Sequence, residues 1–192
     1  MSKIDKFTSE ALHWNPYITP VRLDEATQEQ LDAMKVTPSN QKVSEYVLTL
    51  AHDPESLTVR SPLFNAIMYG KQGLERSERE LGAIGSSIVN RCIYCVSVHS
   101  ARYIQLSKRQ DVIDEIFENA EKAELDDHSQ AIFDFAVKLS KTPSKASEED
   151  IQTLRDLGMT DIQIVDLILA TSIFGWANRL MHTLGEPKAL ST

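Results

Sequence analysis

The sequence predicts an all-α protein, and three observations carry that prediction. Apolar residues recur at helical spacing in segment after segment, as in Val43, Tyr46, Val47 and Leu50. Helix-start signals such as Asp53-Pro54 and Ser77-x-x-Glu80 separate those segments. No stretch shows the sustained apolar/polar alternation of a half-buried strand. With 192 residues and no Pro/Gly/Ser-rich linker, the chain is long enough for one core. The expected division is an N-terminal arm over residues 1–22 and a single helical domain over 23–192, with a candidate site inside 80–99.

The arm carries Trp14, Pro16, Tyr17 and Pro20 without a helical period, so it reads as extended chain whose aromatics pack elsewhere. Residues 24–35 have the spacing of a short helix that Pro38 stops, and Ser39 or Asn40 can cap the next. Asp53-Pro54 opens a helix through Leu57, Leu63, Phe64, Ile67 and Met68, with Pro62 as a potential kink. Ser77 and Glu80 form a capping box for a helix containing Gly82 and Gly85. Glycine inside a helix is destabilising unless another backbone approaches closely, so this helix is expected to pack tightly. A helix ending near Leu106-Ser107 follows, then one over 110–123 and one capped by Asp126 or Asp127. Ser147 opens a short helix that Gly158 closes. Thr160 or Asp161 starts a long one to about Leu184, with Ile162, Val165, Leu169, Ile173, Trp176 and Leu180 on one face. Ile164, Leu167, Ile168 and Phe174 cover much of its other side, so it reads as buried, centrally or between subunits.

The formal charge of -8 and the absence of basic clusters argue against a nucleic-acid surface. The first twenty residues contain no run resembling a signal peptide. The most apolar stretch, 161–184, is interrupted by Asp166, Asn178 and Arg179, short of the ~20 uninterrupted residues of a membrane span. A soluble, cytoplasmic protein is expected, in which a Cys-x-x-Cys pair points to chemistry or metal rather than to a structural staple.

Both cysteines, Cys92 and Cys95, stand three residues apart, and His99 follows one helical turn after the second. Random placement would produce that spacing in roughly one chain in a hundred of this length. On a helix, positions 92, 95 and 99 share one face, which Tyr103 extends. A cysteine near a helix N-terminus is biased toward thiolate, and a second thiol can close a disulfide behind it. His99 can take the proton of Cys95 or give one to a departing oxygen. Buried structural cysteines and a metal site are the alternatives, but a zinc site ordinarily takes four ligands and this motif offers three. Haem attachment requires histidine directly after the second cysteine, where Val96 stands. The capping box already accounts for Glu80. Tyr94 and Tyr103 can donate hydrogen bonds in such a site, with core packing as the simpler use.

Glu80, an eleven-residue gap, Cys92-Ile-Tyr-Cys95 and Val-Ser-Val-His99 together resemble the signature of the alkyl hydroperoxidase D-like proteins in the carboxymuconolactone decarboxylase superfamily. Leu50-Ala-His-Asp-Pro-Glu55, Phe133-Asp-Phe-Ala-Val-Lys-Leu139, Leu154-Arg-Asp-Leu-Gly158 and Ala177-Asn178-Arg179 extend the similarity to its peroxidase-related subgroup over about residues 40–187. The resemblance implies an all-α homo-oligomer, a trimer or hexamer, with Cys95 as the peroxidatic thiol and Cys92 as the resolving one. It makes Glu80 and His99 a proton relay. The implied activity is reduction of a small hydroperoxide, with regeneration by a thiol or protein reductant and no resident cofactor or metal. A dithiol-disulfide oxidoreductase with little peroxide activity, or a redox-sensing or metal-binding oligomer, is the alternative. The decarboxylase branch of the superfamily lacks the cysteine pair. The chain departs from alkyl hydroperoxidase D at Tyr94, where that protein has histidine, and tyrosine is a poor base at neutral pH.

Overall fold

A computed structural model describes residues 4–35 and 43–190. In chain order these form β1 (Leu12–Pro16), α1 (Gln28–Ala33), α2 (Glu45–Leu50), α3 (Pro54–Tyr69), α4 (Arg76–Val89) and α5 (Ile93–Ser107). Then come α6 (Gln110–Asn119), a short 3-10 turn at Ala120–Lys122, α7 (Asp127–Ser140), α8 (Glu148–Asp156), α9 (Asp161–Leu184) and β2 (Gly185–Ala189). The all-α expectation holds, with one addition. The arm is not merely extended: β1 pairs antiparallel with β2, placing Trp14 opposite Pro187 and tying the two ends of the chain together.

α4 is the central helix, buried continuously from Arg79 to Ile88, and its glycines explain how neighbours reach it. A Cβ on Gly82 would lie 2.9 Å from Leu167 Cδ1 of α9, and one on Gly85 2.8 Å from Ala136 Cβ of α7. The close approach expected at these two positions is therefore present on two sides of the helix. The turn before α4 is tied to α9 by Arg79. This buried guanidinium donates to the carbonyls of Leu74 (2.8 Å), Gln72 (2.6 Å) and Ile67, and to Asp166 Oδ2 (2.7 Å). Asp166, which interrupts the apolar pattern of α9, also accepts from the Leu74 N–H at 3.0 Å.

Several local expectations are corrected. α4 begins at Arg76, and the Glu75 N–H donates to Glu78 Oε2 at 3.0 Å, so Glu78 rather than Glu80 serves the cap. α2 is capped by Ser44, whose hydroxyl accepts from the Val47 N–H at 3.3 Å; the expected stop at Pro38 and caps at Ser39 or Asn40 lie outside the described residues. α3 runs on through Pro62, and Leu63 faces solvent. In α9 the buried face is Ile164, Leu167, Ala170, Phe174, Asn178 and Met181, whereas Ile162, Val165, Leu169 and Trp176 point outward. By length and apolarity α9 is long enough to cross a membrane, with a mean hydropathy of 1.3 in its best window, but half of that window is buried inside this fold. The helix is a core element with one uncovered face.

The core divides around α4. Leu81, Ile84, Ile88, Val96, Ile113, Phe133 and their neighbours fill one cluster. Cys92 and Cys95 belong to a second, with Trp14, Ile67, Met68, Phe174 and Met181. The dithiol thus sits where α4, α5 and α9 meet the strand pair.

Candidate active site

The early start of α4 frees Glu80 from capping and turns its side chain into the interior, where it is completely buried. Oε1 accepts from Arg76, one turn earlier, through Nε at 2.8 Å and through Nη2. The Arg76 guanidinium in turn lies 3.9 Å above the Tyr69 ring. Oε2 meets His99 Nδ1 at 2.5 Å. Burial alone would push the Glu80 carboxyl up, but His99 and Arg76 together outweigh it and hold the group below its ordinary value. Glu80 is therefore a carboxylate and accepts from Nδ1–H, which leaves Nε2 as the ring nitrogen able to exchange a proton. Phe174 braces the ring edge-on, with centroids 4.4 Å apart.

The chain between α4 and α5 reverses at Arg91, a non-glycine residue at φ 52°, a conformation that costs roughly 1 kcal/mol. This tight turn delivers Cys92 to the N-cap position of α5 and Cys95 to its first turn. The expected shared helical face is thus modified: Cys92 lies at the helix mouth, while Cys95 and His99 are one turn apart within it. Both cysteines are reduced and buried, with the sulfurs 3.1 Å apart and sharing an S–H···S hydrogen bond. The hydrogen bond with Cys95 holds Cys92 below its ordinary value against burial, and the Asn178 amide contributes. The same hydrogen bond and burial push Cys95 well above its own.

Asn178 is fully buried, donates to Ser87 Oγ at 3.1 Å and accepts from Asn90 Nδ2 at 3.2 Å. That network fixes the amide against the thiols. Sequence reasoning marked Asn178 only as a break in an apolar run and as part of a resemblance. A lone amide on an otherwise apolar helix face was the available signal. Arg76 was missed too, although its place four residues before Glu80 offered an i,i+4 signal. Tyr46 was missed as well: burial pushes its phenol up to about 12, Arg60 opposes that rise, and the two cysteines reinforce it.

The two supporting tyrosines separate. Tyr94 packs with the cysteine cluster, and burial and the thiols raise its phenol. Tyr103 packs in the other cluster, beside Ser107 and Ser129, and does not join the dithiol. Among the described residues no group of three or more His, Cys, Asp or Glu side chains is arranged to hold a metal ion.

The carboxymuconolactone decarboxylase family model matches residues 54–138, a span that contains Glu80, Cys92, Cys95 and His99. The chain resembles the alkylhydroperoxidase AhpD core structure of an uncharacterized peroxidase-related protein from Ralstonia eutropha JMP134. Identity is 30%, with 88% of this chain and 90% of that one covered and a TM-score of 0.75. An uncharacterized peroxidase-related protein from Silicibacter sp. TM1040 is 27% identical over 91% of this chain and 94% of its own, with a TM-score of 0.74. The debrominase Bmp8 shares the fold at 19% identity, covering 88% and 90% with a TM-score of 0.71. No curated protein matches the chain.

Proposed function

Because the chain belongs to the carboxymuconolactone decarboxylase family, among its alkylhydroperoxidase D-like members, we propose that it is a thiol-dependent peroxidase acting on small hydroperoxides. The observation that carries this reading is the buried Glu80–His99 pair, placed one helical turn beyond a reduced dithiol. A thiol as buried as Cys95 needs a base to ionise it, and His99 Nε2, freed by the Glu80 bond, is that base.

In this mechanism His99 takes the Cys95 proton and the thiolate attacks the outer oxygen of the hydroperoxide. The O–O bond breaks, the alkoxide takes the proton back from His99 and leaves as the alcohol, and Cys95 becomes a sulfenic acid. Cys92 then attacks the Cys95 sulfur, forming the S–S bond and expelling hydroxide, which takes up the Cys92 proton to leave as water. The dithiol is oxidised to a disulfide by two electrons, and an external thiol must reduce it. The same reading takes the outward stripe of α9, Ile162, Val165, Leu169 and Trp176, as a subunit contact in a trimer or hexamer, which light scattering tests.

Stopped-flow oxidation by cumene hydroperoxide, with thiol counting, tests the chemistry. The expected result is rapid loss of both thiols, abolished in Cys95→Ser and halted at sulfenic acid in Cys92→Ser. Thiols that react no faster than a free dithiol would overturn it and favour disulfide exchange as the primary activity.

A further inference from the structure

The dithiol has two different sides. On one stands the Glu80–His99 relay; on the other a cavity of about 390 Å³ opens against Cys92. Both ends of the chain build that cavity: Trp14 and Tyr17 from the arm, Met181 and Pro187 from the C-terminal segment, and Tyr94 from α5. None of Cys95, His99, Glu80 or Arg76 is among its walls. The histidine that is, His182, already has Nε2 bonded to the Asn90 carbonyl at 2.9 Å. Hydroperoxide cleavage needs a proton donor at the leaving oxygen, and this chamber lacks the relay that provides one.

Thiol–disulfide exchange has other requirements. It needs only access to one sulfur of the disulfide, in line, by a thiolate. Cys92 is the motif cysteine on the cavity wall, and it lies recessed at 2% exposure. A cysteine carried on the convex surface of a folded reductant cannot descend to such a sulfur, whereas a small molecule can. The aromatic and thioether walls suit an apolar body of ring size. The charges around it are mixed, Asp5 and Glu186 with Arg91, and Lys188 lies 3.3 Å from Glu186, so the rim offers an anionic thiol no net attraction.

We propose that this cavity is the reductant's entrance, admitting a neutral, apolar low-molecular-weight thiol to the Cys92 sulfur of the oxidised dithiol. The proposal rests on the dithiol cycle above. The entering thiol releases its proton to solvent and its thiolate bonds to Cys92 as the Cys92–Cys95 bond breaks; the departing electron pair on Cys95 takes a proton from His99 Nε2, which has been reloaded from solvent. A second molecule of the thiol attacks the sulfur of the first, releasing a symmetrical disulfide and the Cys92 thiolate. Two small thiols are oxidised and one protein disulfide is reduced. Peroxide and reductant thus meet the dithiol from opposite sides.

The test starts from protein oxidised by diamide, so that it does not depend on peroxide activity. Benzyl mercaptan should reduce the disulfide at least tenfold faster than glutathione at equal thiolate concentration. Quenching early with iodoacetamide should leave the benzyl thiol on Cys92 and the alkyl label on Cys95. Glu186→Trp, which narrows the cavity, should slow benzyl mercaptan at least tenfold more than it slows cumene hydroperoxide; Tyr17→Trp is the second variant should the first fail to fold. A benzyl adduct on Cys95, equal slowing of both half-reactions, or faster reduction by a thioredoxin that ignores the substitutions would overturn the proposal. Wild-type protein inert to hydroperoxide would instead defeat the peroxidase reading, and the adduct site and the benzyl mercaptan rates would still decide this one.

Discussion

Glu80 and His99, nineteen positions apart on two different helices, meet at 2.5 Å through Oε2 and Nδ1, and this contact sets the tautomer of the ring. Glu80→Gln keeps the shape and removes the charge that favours Nδ1–H. The amide can present its N–H to Nδ1, which would move the ring proton to Nε2 and block it as a base. Oxidation of Cys95 by cumene hydroperoxide should fall about 10²- to 10⁴-fold, the range expected for a lost acid–base group. His99→Ala should fall by a similar factor, and the double variant no further. A merely structural role for Glu80 would lower the rate equally at every pH; here the loss should shrink as rising pH ionises the thiol without help.

The same carboxylate links stability to acidity. Its folded pKa lies below the ordinary 4.5, because His99 and Arg76 outweigh the burial that raises it. In that window the unfolded chain binds the proton that the native one refuses, so stability rises with pH. The contribution is complete above pH 4.5 and is lost as pH falls through the lower, folded value. Urea denaturation from neutrality into this range should show a steeper acid loss for the parent than for Glu80→Gln. Parallel curves would remove Glu80 from the acid sensitivity.

What the sequence made legible is local chemistry. The Cys92/Cys95 spacing, His99 one turn on, and the close packing at Gly82 and Gly85 are all consequences of helical period and side-chain size. A two-residue shift in where α4 begins was invisible, because Ser77-x-x-Glu80 is a regular capping box whereas the actual N-cap, Glu75, is not a preferred capping residue, and that shift decides whether Glu80 caps or enters the core. The pairing of β1 with β2 joins the two ends of the chain, and neither five-residue strand alternates strongly enough to announce itself. On α9 the apolar residues cover nearly the whole circumference, so the pattern could not say which face met α4; the stripe through Ile162 and Val165 turned out to be the outer one. Asn178 and Tyr46 become site residues only once α9 and α2 are folded over the dithiol.

Asn178 connects packing to thiol chemistry. Its amide neighbours both sulfurs and lowers each. In Asn178→Leu the Ser87 hydroxyl keeps its bond to the Ala83 carbonyl, and Asn90 Nδ2 keeps Ser86 O at 3.0 Å. The stability loss should therefore be modest, about 1 kcal/mol. The chemical effect should be larger: the first thiol ionisation should move up, read by thiolate ultraviolet absorbance against pH. Asn178→Asp should move it further, since an anion beside a thiolate opposes its charge. An unchanged titration in both variants would show that the amide only fills space.

The three glycines of α4 and α9 make a paired stability test, because the same methyl group meets different surroundings. At Gly85 it would sit 2.8 Å from Ala136 Cβ, a contact that neither side chain can relieve by rotating, so the helices must part. Gly85→Ala should destabilise by about 1–3 kcal/mol, the range for overpacking. At Gly82 the nearest atom, 2.9 Å away, is the terminal Cδ1 of Leu167, which can turn aside, though Thr171 Oγ1 follows at 3.1 Å. Gly82→Ala should fall between the extremes. Gly175, on the same long helix as Leu167, meets only Arg179 Nη1 at 3.6 Å, an ordinary contact. There alanine should stabilise by about 0.5–1 kcal/mol through its helix propensity. Urea midpoints for the three variants should therefore rank Gly175→Ala above the parent, then Gly82→Ala, then Gly85→Ala. A Gly85→Ala protein as stable as the parent would mean that α4 and α7 are not held at the separation their glycine and alanine allow.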